Sequence, residues 1–258
     1  IGSLDTHTLT IDWGDGSAPT VLSPADDSFQ ETHVYTGGGT FAITITVADD
    51  DGGIATQTVN ALLTGTQLSE GTLRIFGTDH RDIVKVWQHH GHLYVKTKLC
   101  GNAWTWESFP VADVDHIEVV TCDGHDFVWL KAAAHVTTNV QTGRGRDEIF
   151  TADGIDHIDA GPGKDRIFSD GGNDIIHAGS GHDLISSGAG DDQIHGGGGN
   201  DEISSWTGDD VIHAGSGHDY IDSSYGDDRV LAGAGNDIIY GGSGNDVLVG
   251  GDGHDCIH

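Results

Sequence analysis

The chain has 258 residues and is strongly acidic, with 41 Asp and Glu side chains against 11 Lys and Arg and a formal net charge of −30. This balance argues against nucleic acid and anionic membrane surfaces as partners, because both attract basic side chains. A hydrophobic content of 36% with six Trp indicates packed structure rather than disorder, and no apolar run is long enough for a transmembrane helix.

The first 63 residues predict a small β domain. Short alternating segments such as 41–47 and 55–59 are separated by turns rich in Gly and Asp, which is the pattern of a β-sandwich. Residues 5–60 resemble the PKD domain, an Ig-like sandwich, through the motifs Trp13-Gly14-Asp15-Gly16 and His33-Val34-Tyr35 and the strand beginning Gly39-Thr40-Phe41. The resemblance implies a spacer or binding module of secreted and cell-surface proteins.

This domain has little room for the strands that normally precede the segment matching residues 8–16. Two explanations stay open: the chain is a piece of a longer protein, or a strand from another molecule completes the sandwich. The second explanation would suit head-to-tail assembly into a fibre. The acidic run Asp49-Asp50-Asp51 is interpreted as a hairpin turn, with a lone calcium site as the alternative.

Residues 64–141 predict irregular, longer-looped β coils that cap a solenoid formed by the residues after them. Strand-like runs occur at 73–76, 83–87, 93–96, 117–120, 127–130 and 136–140. The turns around Asp82 and Asp126 are similar to those of the later repeat, so both aspartates are weak metal candidates beside a simpler interpretation as turn residues. Cys100 and Cys122 could form a disulfide, which an extracellular location would permit.

Residues 142–258 carry a strict nine-residue period. Each step contains an aspartate: Asp147, Asp156, Asp165, Asp174, Asp183, Asp192, Asp201, Asp210, Asp219, Asp228, Asp237, Asp246 and Asp255. Two residues before each aspartate there is glycine, and two residues after it there is a branched aliphatic residue. Each unit is therefore predicted to be a Gly-rich turn followed by a three-residue strand whose aliphatic side chain points inward.

Two units make one coil, so residues 18 apart are predicted to stack in a parallel β-roll. This stacking sorts the aspartates into two columns, the first edge (the Asp147 series, to Asp255) and the second edge (the Asp156 series, to Asp246). Carboxylates stacked about 5 Å apart repel each other unless cations separate them. Oxygen ligands in forgiving geometry favour Ca²⁺ over Mg²⁺, and up to about eleven ions would fill the gaps between successive loops.

Two stretches, 233–240 and 241–249, resemble the haemolysin-type, or RTX, calcium-binding nonapeptide, and the resemblance covers residues 142–258. It implies a parallel β-roll in which each ion takes aspartates from two turns 18 residues apart. It also implies an extracellular location and a roll that folds when it meets external calcium. The carbonyl ligands that it implies include those of the column glycines Gly145, Gly154, Gly163, Gly172, Gly181, Gly190, Gly199, Gly208, Gly217, Gly226, Gly235 and Gly244.

The second position of each loop distinguishes the two edges. It is always glycine on the first edge, but on the second edge it reads Ala152, Asp170, Gly188, Trp206, Ser224 and Gly242. If this position needs a positive φ, the first edge binds calcium regularly and the second edge is weaker or partly vacant. Trp206 and Tyr225 lie on neighbouring turns of the second edge, as an exposed patch for a sugar or partner or as local cover of an irregular edge.

Three histidines, His177, His195 and His213, recur at the 18-residue step. They form either a platform for a transition metal or a set of tolerated polar side chains. Cys256 is expected to face outward, free or linking molecules.

No nucleophile-elbow, zincin or P-loop motif occurs, so no catalytic residue is predicted. The sequence therefore predicts an all-β protein, a parallel β-roll (β-solenoid) preceded by an Ig-like, PKD-like β-sandwich. The predicted function is that of an extracellular calcium-binding structural or adhesive protein, with glycans or copies of itself as further candidate partners. The alternatives are an accessory region of a secreted polysaccharide-modifying enzyme or protease, and a subunit of an extracellular fibre.

Overall fold

The computed structural model describes residues 7–23, 31–33, 39–100, 103–132 and 136–258. The chain consists of two compact units, residues 1–67 and residues 68–258. Val34 and Tyr35 of the PKD-like motif and the turn at 36–38 lie outside the described residues. In the part of the chain that is described, no helix combines the length and apolar character needed to cross a membrane.

The strands follow one another with short connections. The N-terminal strands are β1 (His7–Asp12), β2 (Thr20–Leu22), β3 (Gly39–Asp49), β4 (Ile54–Leu63) and β5 (Gly65–Ser69). The middle strands are β6 (Thr72–Phe76), β7 (Ile83–His89), β8 (His92–Lys98), β9 (Thr105–Pro110), β10 (His116–Val120), β11 (Phe127–Lys131) and β12 (Thr137–Gln141), with one 3₁₀ turn at Val111–Asp113. The repeat strands are β13 (Glu148–Phe150), β14 (Asp156–Asp159), β15 (Arg166–Phe168), β16 (Ile175–Ser180), β17 (Leu184–Ser186), β18 (Gln193–Gly198), β19 (Glu202–Ser204), β20 (Val211–Ser216), β21 (Tyr220–Asp222), β22 (Arg229–Ala234), β23 (Ile238–Tyr240), β24 (Val247–Asp252) and β25 (Cys256–Ile257).

The described strands of the first unit form an antiparallel sheet in the order β2-β1-β3-β4. Leu9 and Ile11 alternate with more exposed neighbours and are buried, as expected for a sheet with one covered face. β3 and β4 form a long hairpin, and at its turn Oδ1 of Asp49 accepts a 2.6 Å hydrogen bond from the N–H of Gly53. The acidic run 49–51 therefore belongs to a hairpin turn.

His33, the described residue of its PKD-like motif, contacts the motif at 13–16. Nε2 of His33 lies 2.7 Å from Oδ2 of Asp15, and the His33 ring stacks on Trp13 with ring centroids 4.7 Å apart. Hydrogen bonds from Ser17 and His33 hold the pKa of Asp15 well below its usual range. The relation to the PKD domain itself stays a prediction.

The second unit is a solenoid of two sheets. The ten-stranded sheet has the order β24-β22-β20-β18-β16-β14-β12-β10-β6-β5, and the eleven-stranded sheet has the order β25-β23-β21-β19-β17-β15-β13-β11-β7-β8-β9. In the repeat the strands of each sheet are parallel and pair with residues 18 positions apart, for example Ile167 with Ile185 and Ile176 with Ile194. The nine-residue period therefore becomes an alternation between the two sheets.

The aliphatic residue of each unit fills the space between the sheets. Ile149, Ile167, Ile185, Ile203, Ile221 and Ile239 on one sheet and Ile158, Ile176, Ile194, Ile212 and Val230 on the other are all buried. Each such side chain contributes roughly 1.5–3 kcal/mol relative to an exposed one. Because a unit buries only one large side chain, the coils are stable only as a stack.

The coils before the repeat are longer but belong to the same two sheets. β10 pairs in parallel with both β6 and β12, and β11 pairs in parallel with both β7 and β13. β8 pairs antiparallel with β7 and with β9, and these two added strands extend the eleven-stranded sheet and lengthen the first coil. The predicted all-β fold with a parallel β-solenoid is confirmed.

Candidate metal centre

The thirteen predicted aspartates lie in two columns at the turns of the solenoid. The Asp147 series lies where the chain enters the eleven-stranded sheet, and the Asp156 series lies where it enters the ten-stranded sheet. All of them from Asp147 to Asp237 are buried, whereas Asp246 and Asp255 in the last coil are partly exposed. The structure thus stacks carboxylates along two separate edges of the fold.

One carboxylate oxygen of each aspartate takes part in a hydrogen-bond ladder. On the first edge the backbone N–H of Asp183 donates to Oδ1 of Asp201 at 2.9 Å, and the same bond links every coil from Asp147 to Asp255. On the second edge the N–H of Asp192 donates to Oδ1 of Asp210 at 2.9 Å, and the bond again recurs along the column. Each Oδ1 is therefore fixed by the coil before it.

The other carboxylate oxygen is buried without a hydrogen-bond partner. Among the described residues this holds for Oδ2 of Asp126, Asp147, Asp156, Asp165, Asp174, Asp183, Asp192, Asp201, Asp210, Asp219, Asp228 and Asp237. A buried acceptor without a partner costs about 1–3 kcal/mol, and more when it is charged. Twelve such atoms lie in two columns, and their summed cost would be large. Cations bound between successive carboxylates would remove that cost.

The column glycines bring main-chain oxygens to the same places. A Cβ added at Gly163 would overlap the carbonyl oxygen of Gly145 and would lie 2.5 and 2.8 Å from the two carboxylate oxygens of Asp165. The other glycines of this column likewise approach the carbonyl of the glycine one coil earlier, for example Gly181 over Gly163. Only glycine permits this approach, and it gathers carbonyl and carboxylate oxygens in the gap between two coils.

Burial changes the protonation of these carboxyl groups. It raises the pKa of Asp165, Asp174 and Asp201 to about 7. It raises the pKa of Asp192 and Asp210 to about 6, where hydrogen bonds from nearby hydroxyl and N–H groups oppose the effect of burial. Burial therefore stabilises the neutral acid relative to an exposed aspartate, and a bound cation would oppose that effect.

The ladder extends beyond the repeat to Asp126 and ends at Asp82. The N–H of Asp126 donates to Oδ1 of Asp147 at 2.7 Å, and the N–H of Asp82 donates to Oδ1 of Asp126 at 2.8 Å. Both carboxylate oxygens of Asp82 have protein donors: Thr78 N–H reaches Oδ2 at 2.6 Å and Cys100 N–H reaches Oδ1 at 2.8 Å. At Asp82, the last aspartate of the column, backbone N–H groups thus satisfy both carboxylate oxygens. Asp126 instead has a buried Oδ2 without a partner, like the repeat aspartates.

A second, outer ladder lies beside the first and was not predicted from the sequence. From Asn173 to Asn236 the residue before each aspartate accepts a hydrogen bond from the backbone of the next coil, as in Asn200 N–H to Nδ1 of His182 at 2.6 Å and His218 N–H to Oδ1 of Asn200 at 2.9 Å. On the second edge Asp209 N–H donates to Oδ1 of Asp191 at 2.9 Å. Asn, Asp and His all carry an acceptor at the δ1 position, which explains why these three residue types recur there.

The two edges differ in the loop residues that line them. At the second loop position Asp170, Trp206 and Ser224 have φ values of 64°, 73° and 67°, the left-handed region that favours glycine, while Ala152 does not adopt it. On the first edge every residue at this position is a glycine with positive φ. The backbone of the second edge therefore carries strain that the first edge avoids.

The predicted aromatic and histidine sites are only partly assembled. Trp206 and Tyr225 are exposed and their backbones pair at 2.9 Å, but the Trp206 indole N–H donates to Oγ of Ser186 in the preceding coil at 2.9 Å. His177 and His195 stack with centroids 4.8 Å apart, and His213 meets His195 edge-on at 5.1 Å. Within the described residues no three His, Cys, Asp or Glu side chains converge as a metal site, so any cation would depend on aspartates together with main-chain carbonyls.

The structure corrects the cysteine pairing. Cys100, Cys122 and Cys256 are all free, so the predicted Cys100–Cys122 bridge is not formed. The backbone of Cys100 is fixed by its bond to Asp82 while its side chain is exposed, and Cys122 is partly buried with a pKa raised by burial and by nearby aspartates. Cys256 is exposed, in accordance with its expected outward orientation.

The candidate ligands are therefore carboxylate and carbonyl oxygens, which is the donor set that Ca²⁺ prefers. A family model described as the RTX calcium-binding nonapeptide repeat (4 copies) matches residues 141–176, 168–203, 207–224 and 222–255. No curated protein and no solved structure gives a significant match to the chain. The repeat is a structural calcium-binding motif, and no enzyme family is indicated. The segment from 141 to 255 thus carries RTX calcium-binding repeats, wound into a β-solenoid.

Proposed function

We propose that this chain is an extracellular structural protein whose solenoid folds and becomes rigid when it binds calcium. The observation that supports this most directly is the pair of columns of buried Oδ2 atoms without hydrogen-bond partners. A protein that relied on its own donors would satisfy these atoms, as it does at Asp82. Extracellular fluid supplies calcium at concentrations that the cytosol does not, so such a chain is ordered after export.

The ligands would be the two aspartates that face each gap and the carbonyl oxygens of the column glycines. On the first edge Asp183 and Asp201, with the carbonyl of Gly181, represent one such set. Bound Ca²⁺ would neutralise the stacked carboxylates and tie successive loops together. The aspartate side chains already point to these positions, because their Oδ1 atoms are fixed by the ladder.

Asp126 would add a site outside the matched repeat. Its Oδ2 atom is buried without a partner, like those of the repeat aspartates, and its Oδ1 atom belongs to the same ladder. A Cβ at Gly124 would lie 2.5 Å from Oδ1 of Asp126 and 2.8 Å from the carbonyl oxygen of His80, which is the same cradle as at Gly163. The calcium column therefore begins one coil before the recognisable period.

Circular dichroism of the whole chain during calcium titration tests the proposal, with Mg²⁺ as the control ion. We expect a cooperative gain of β signal with Ca²⁺, a much weaker response to Mg²⁺, and reversal by a chelator. A β signal that is complete in chelator, with an unfolding temperature that calcium leaves unchanged, would contradict the proposal.

A pair of variants tests where the column begins. We expect Asp126→Asn to reduce the number of calcium ions bound at saturation, measured by isothermal titration calorimetry and metal analysis. Asp82→Asn should leave that number unchanged, because protein donors already occupy both of its oxygens. Equal ion counts for Asp126→Asn and the wild type would restrict the column to the repeat.

A further inference from the structure

One outer face of the solenoid concentrates aromatic and basic side chains that are scarce elsewhere. Trp87, Trp106 and Trp129 lie on the outer face of β7, β9 and β11 in the eleven-stranded sheet, and Trp104 directly precedes β9. Trp206, in the turn after β19, reaches the same face because its indole N–H donates to Ser186 of β17, so five of the six Trp are involved. Five of the 11 basic side chains lie there as well: Lys85, Lys96, Lys98, Lys131 and Arg166. We name this surface the aromatic face. The chain as a whole carries a net charge of −30, so this concentration needs an explanation.

Strand register aligns part of the aromatic face into a single row. Trp106 pairs with Lys96, Lys96 with Lys85, and Lys85 with Trp129. The row continues from Trp129 through Phe150 and Phe168 to Ser186, which receives the Trp206 indole. These seven strands span six inter-strand steps, or about 29 Å.

The side chains of the row hold each other in place. The Lys96 ammonium lies 4.3 Å from the ring centroid of Trp104 and 4.4 Å from that of Trp106. Phe150 and Phe168 stack in parallel with centroids 5.0 Å apart. Such contacts fix the rings before any ligand binds, which lowers the entropic cost of binding.

The rings are nevertheless accessible. Trp106 is 58% exposed, Trp104 is 41% exposed and Trp206 is 55% exposed. An open cleft lies at the far end of the row, with Phe168, Ser186 and Trp206 among its lining residues. Trp206 occupies a position with a φ of 73°, where a bulky residue is costly, yet it extends its indole toward this cleft.

The opposite outer face lacks these features. On the ten-stranded sheet the outward positions of the repeat carry side chains such as Ile175, His177, Gln193, Val211 and Leu231. No Trp lies on that sheet. The two faces share one backbone, so the concentration of rings and cations on one of them does not follow from the fold.

We propose that the aromatic face binds an extended anionic polysaccharide, one that carries uronate carboxylates or sulfates. The apolar faces of pyranose rings stack on exposed indoles, and a sugar ring is about as wide as the spacing between strands. The ammonium groups of Lys85, Lys96 and Lys98 would pair with the anionic substituents. The other two basic side chains of the face already have carboxylate partners, since Arg166 lies 3.5 Å from Glu148 and Lys131 lies 3.6 Å from Asp170. A linear polysaccharide with widely spaced anionic substituents fits this row.

Binding is measured on the full chain in calcium, by quenching of Trp fluorescence and by affinity electrophoresis. The probes are hyaluronan and chondroitin sulfate, with dextran as a neutral polysaccharide and an oligothymidylate as a non-glycan polyanion. We expect saturable binding of the two anionic glycans and at least about tenfold weaker binding of dextran. Tighter binding of the oligothymidylate, equal binding of dextran, or self-association of the chain in place of glycan binding would overturn the proposal.

Two variants probe opposite ends of the row. We expect Trp106→Ala to weaken glycan binding at least about tenfold. Trp206→Gly should weaken it severalfold while keeping the fold, because glycine suits the backbone at this position. The controls are Tyr225→Ala, which removes a ring that is 62% exposed, and Arg229→Gln, which removes a positive charge from the other sheet.

These controls should bind like the wild type, and circular dichroism in calcium verifies the fold of each variant. Unchanged affinity for both Trp106→Ala and Trp206→Gly would reject the aromatic face as the site. If Trp106→Ala does not fold, Trp206→Gly and Lys96→Gln still decide the question. The calcium titration of the wild type is a separate measurement, so failure of one proposal is distinguishable from failure of the other.

Discussion

The two edges of the solenoid are built from the same nonapeptide, yet they surround their aspartates with different groups. Five residues before each first-edge aspartate there is Ala or Gly from Ala160 onward, whereas the second edge has Thr151, Ser169, Ser187, Ser205 and Ser223. The hydroxyl of Ser169 donates to the carbonyl of Ser187 at 2.9 Å and also lies close enough to Asp174 to lower its pKa against the effect of burial. One hydroxyl proton cannot serve both acceptors, and the bond to the carbonyl has the clear geometry.

In its loop backbone, by contrast, the second edge is the less favourable of the two. The first edge has unstrained glycines at the second loop position, whereas Asp170, Trp206 and Ser224 hold left-handed conformations on the second. A non-glycine residue in that region costs roughly 1–2 kcal/mol. The second edge thus has a hydroxyl beside each of these carboxylates but a costlier loop, whereas the first edge has glycine loops and, from Asp165 onward, no such hydroxyl.

The largest effect is expected from a side chain placed on the first edge. Gly197 has a φ of 108°, and a Cβ there would overlap the carbonyl oxygen of Gly179. We expect Gly197→Ala to lower the free energy of unfolding in saturating calcium by about 3 kcal/mol. Gly198→Ala is the control, because its Cβ would meet only Oγ of Ser216 at 3.3 Å. Equal losses for the two variants in denaturant titrations would show that the close approach is unimportant.

A slightly smaller effect is expected from removing one carboxylate on each edge. Asp201→Asn should remove ion-linked stability of about 2.7 kcal/mol when calcium is at a hundred times its dissociation constant. Asp210→Asn should cost less, because the oxygen of the nearby Ser205 hydroxyl can accept a hydrogen bond from the new amide while that hydroxyl donates to the carbonyl of Ser223. Thermal unfolding in calcium measures both. A larger loss for Asp210→Asn would reverse the ranking of the edges.

The stability of the metal-free chain should depend on pH. The pKa of Asp201 is raised to about 7 and that of Asp192 to about 6, against an ordinary value of 3.8. A raised carboxyl pKa in the folded state means that the folded state binds more protons, so stability is full below pH 4 and is lost as the pH rises through 6 to 7. In chelator we therefore expect more β signal at pH 5 than at pH 8. Calcium affinity should change oppositely, and a chelated chain that loses β signal on acidification would contradict this.

The smallest effect is expected from relieving strain on the second edge. Ser224→Gly should stabilise the calcium-bound protein by about 0.5–1 kcal/mol, because glycine adopts the φ of 67° without steric cost. The equivalent position one coil later is already a glycine, Gly242, with a φ of 83°. Chemical denaturation measures the gain, and a destabilised Ser224→Gly would mean that the Ser224 hydroxyl, 2.9 Å from Asp222, matters more than the backbone.

The strict period allowed the parallel solenoid and both aspartate columns to be predicted from the sequence. A repeat without insertions fixes the register, because any slip would remove Ile149 and its equivalents from the core. The place of Asp126 was harder to predict, since its coil is 21 residues long and follows no period. The partnerless Oδ2 atoms could not be predicted either, because they depend on the direction in which each carboxylate turns.

The hydrogen bonds that loop side chains form with the next coil could not be predicted from the sequence either. The residues before the aspartates lie at the exposed turns, yet δ1 atoms such as those of His182 and His218 accept backbone hydrogen bonds from the next coil. The error at Cys100 and Cys122 has a different origin, since sequence separation says nothing about whether two thiols meet in suitable geometry. The PKD-like assignment rests on short motifs, and the contact between Asp15 and His33 shows only that two of them are neighbours.

The outer ladder has a chemical consequence for the imidazoles that it contains. Nδ1 of His182 and Nδ1 of His218 accept the backbone N–H groups of Asn200 and Asn236, at 2.6 and 2.8 Å. Each ring must therefore carry its proton on Nε2, because an N–H group cannot donate to a protonated nitrogen. This tautomer leaves no free lone pair on the ring, so these side chains present a line of N–H donors to solvent and are poor ligands for zinc or copper.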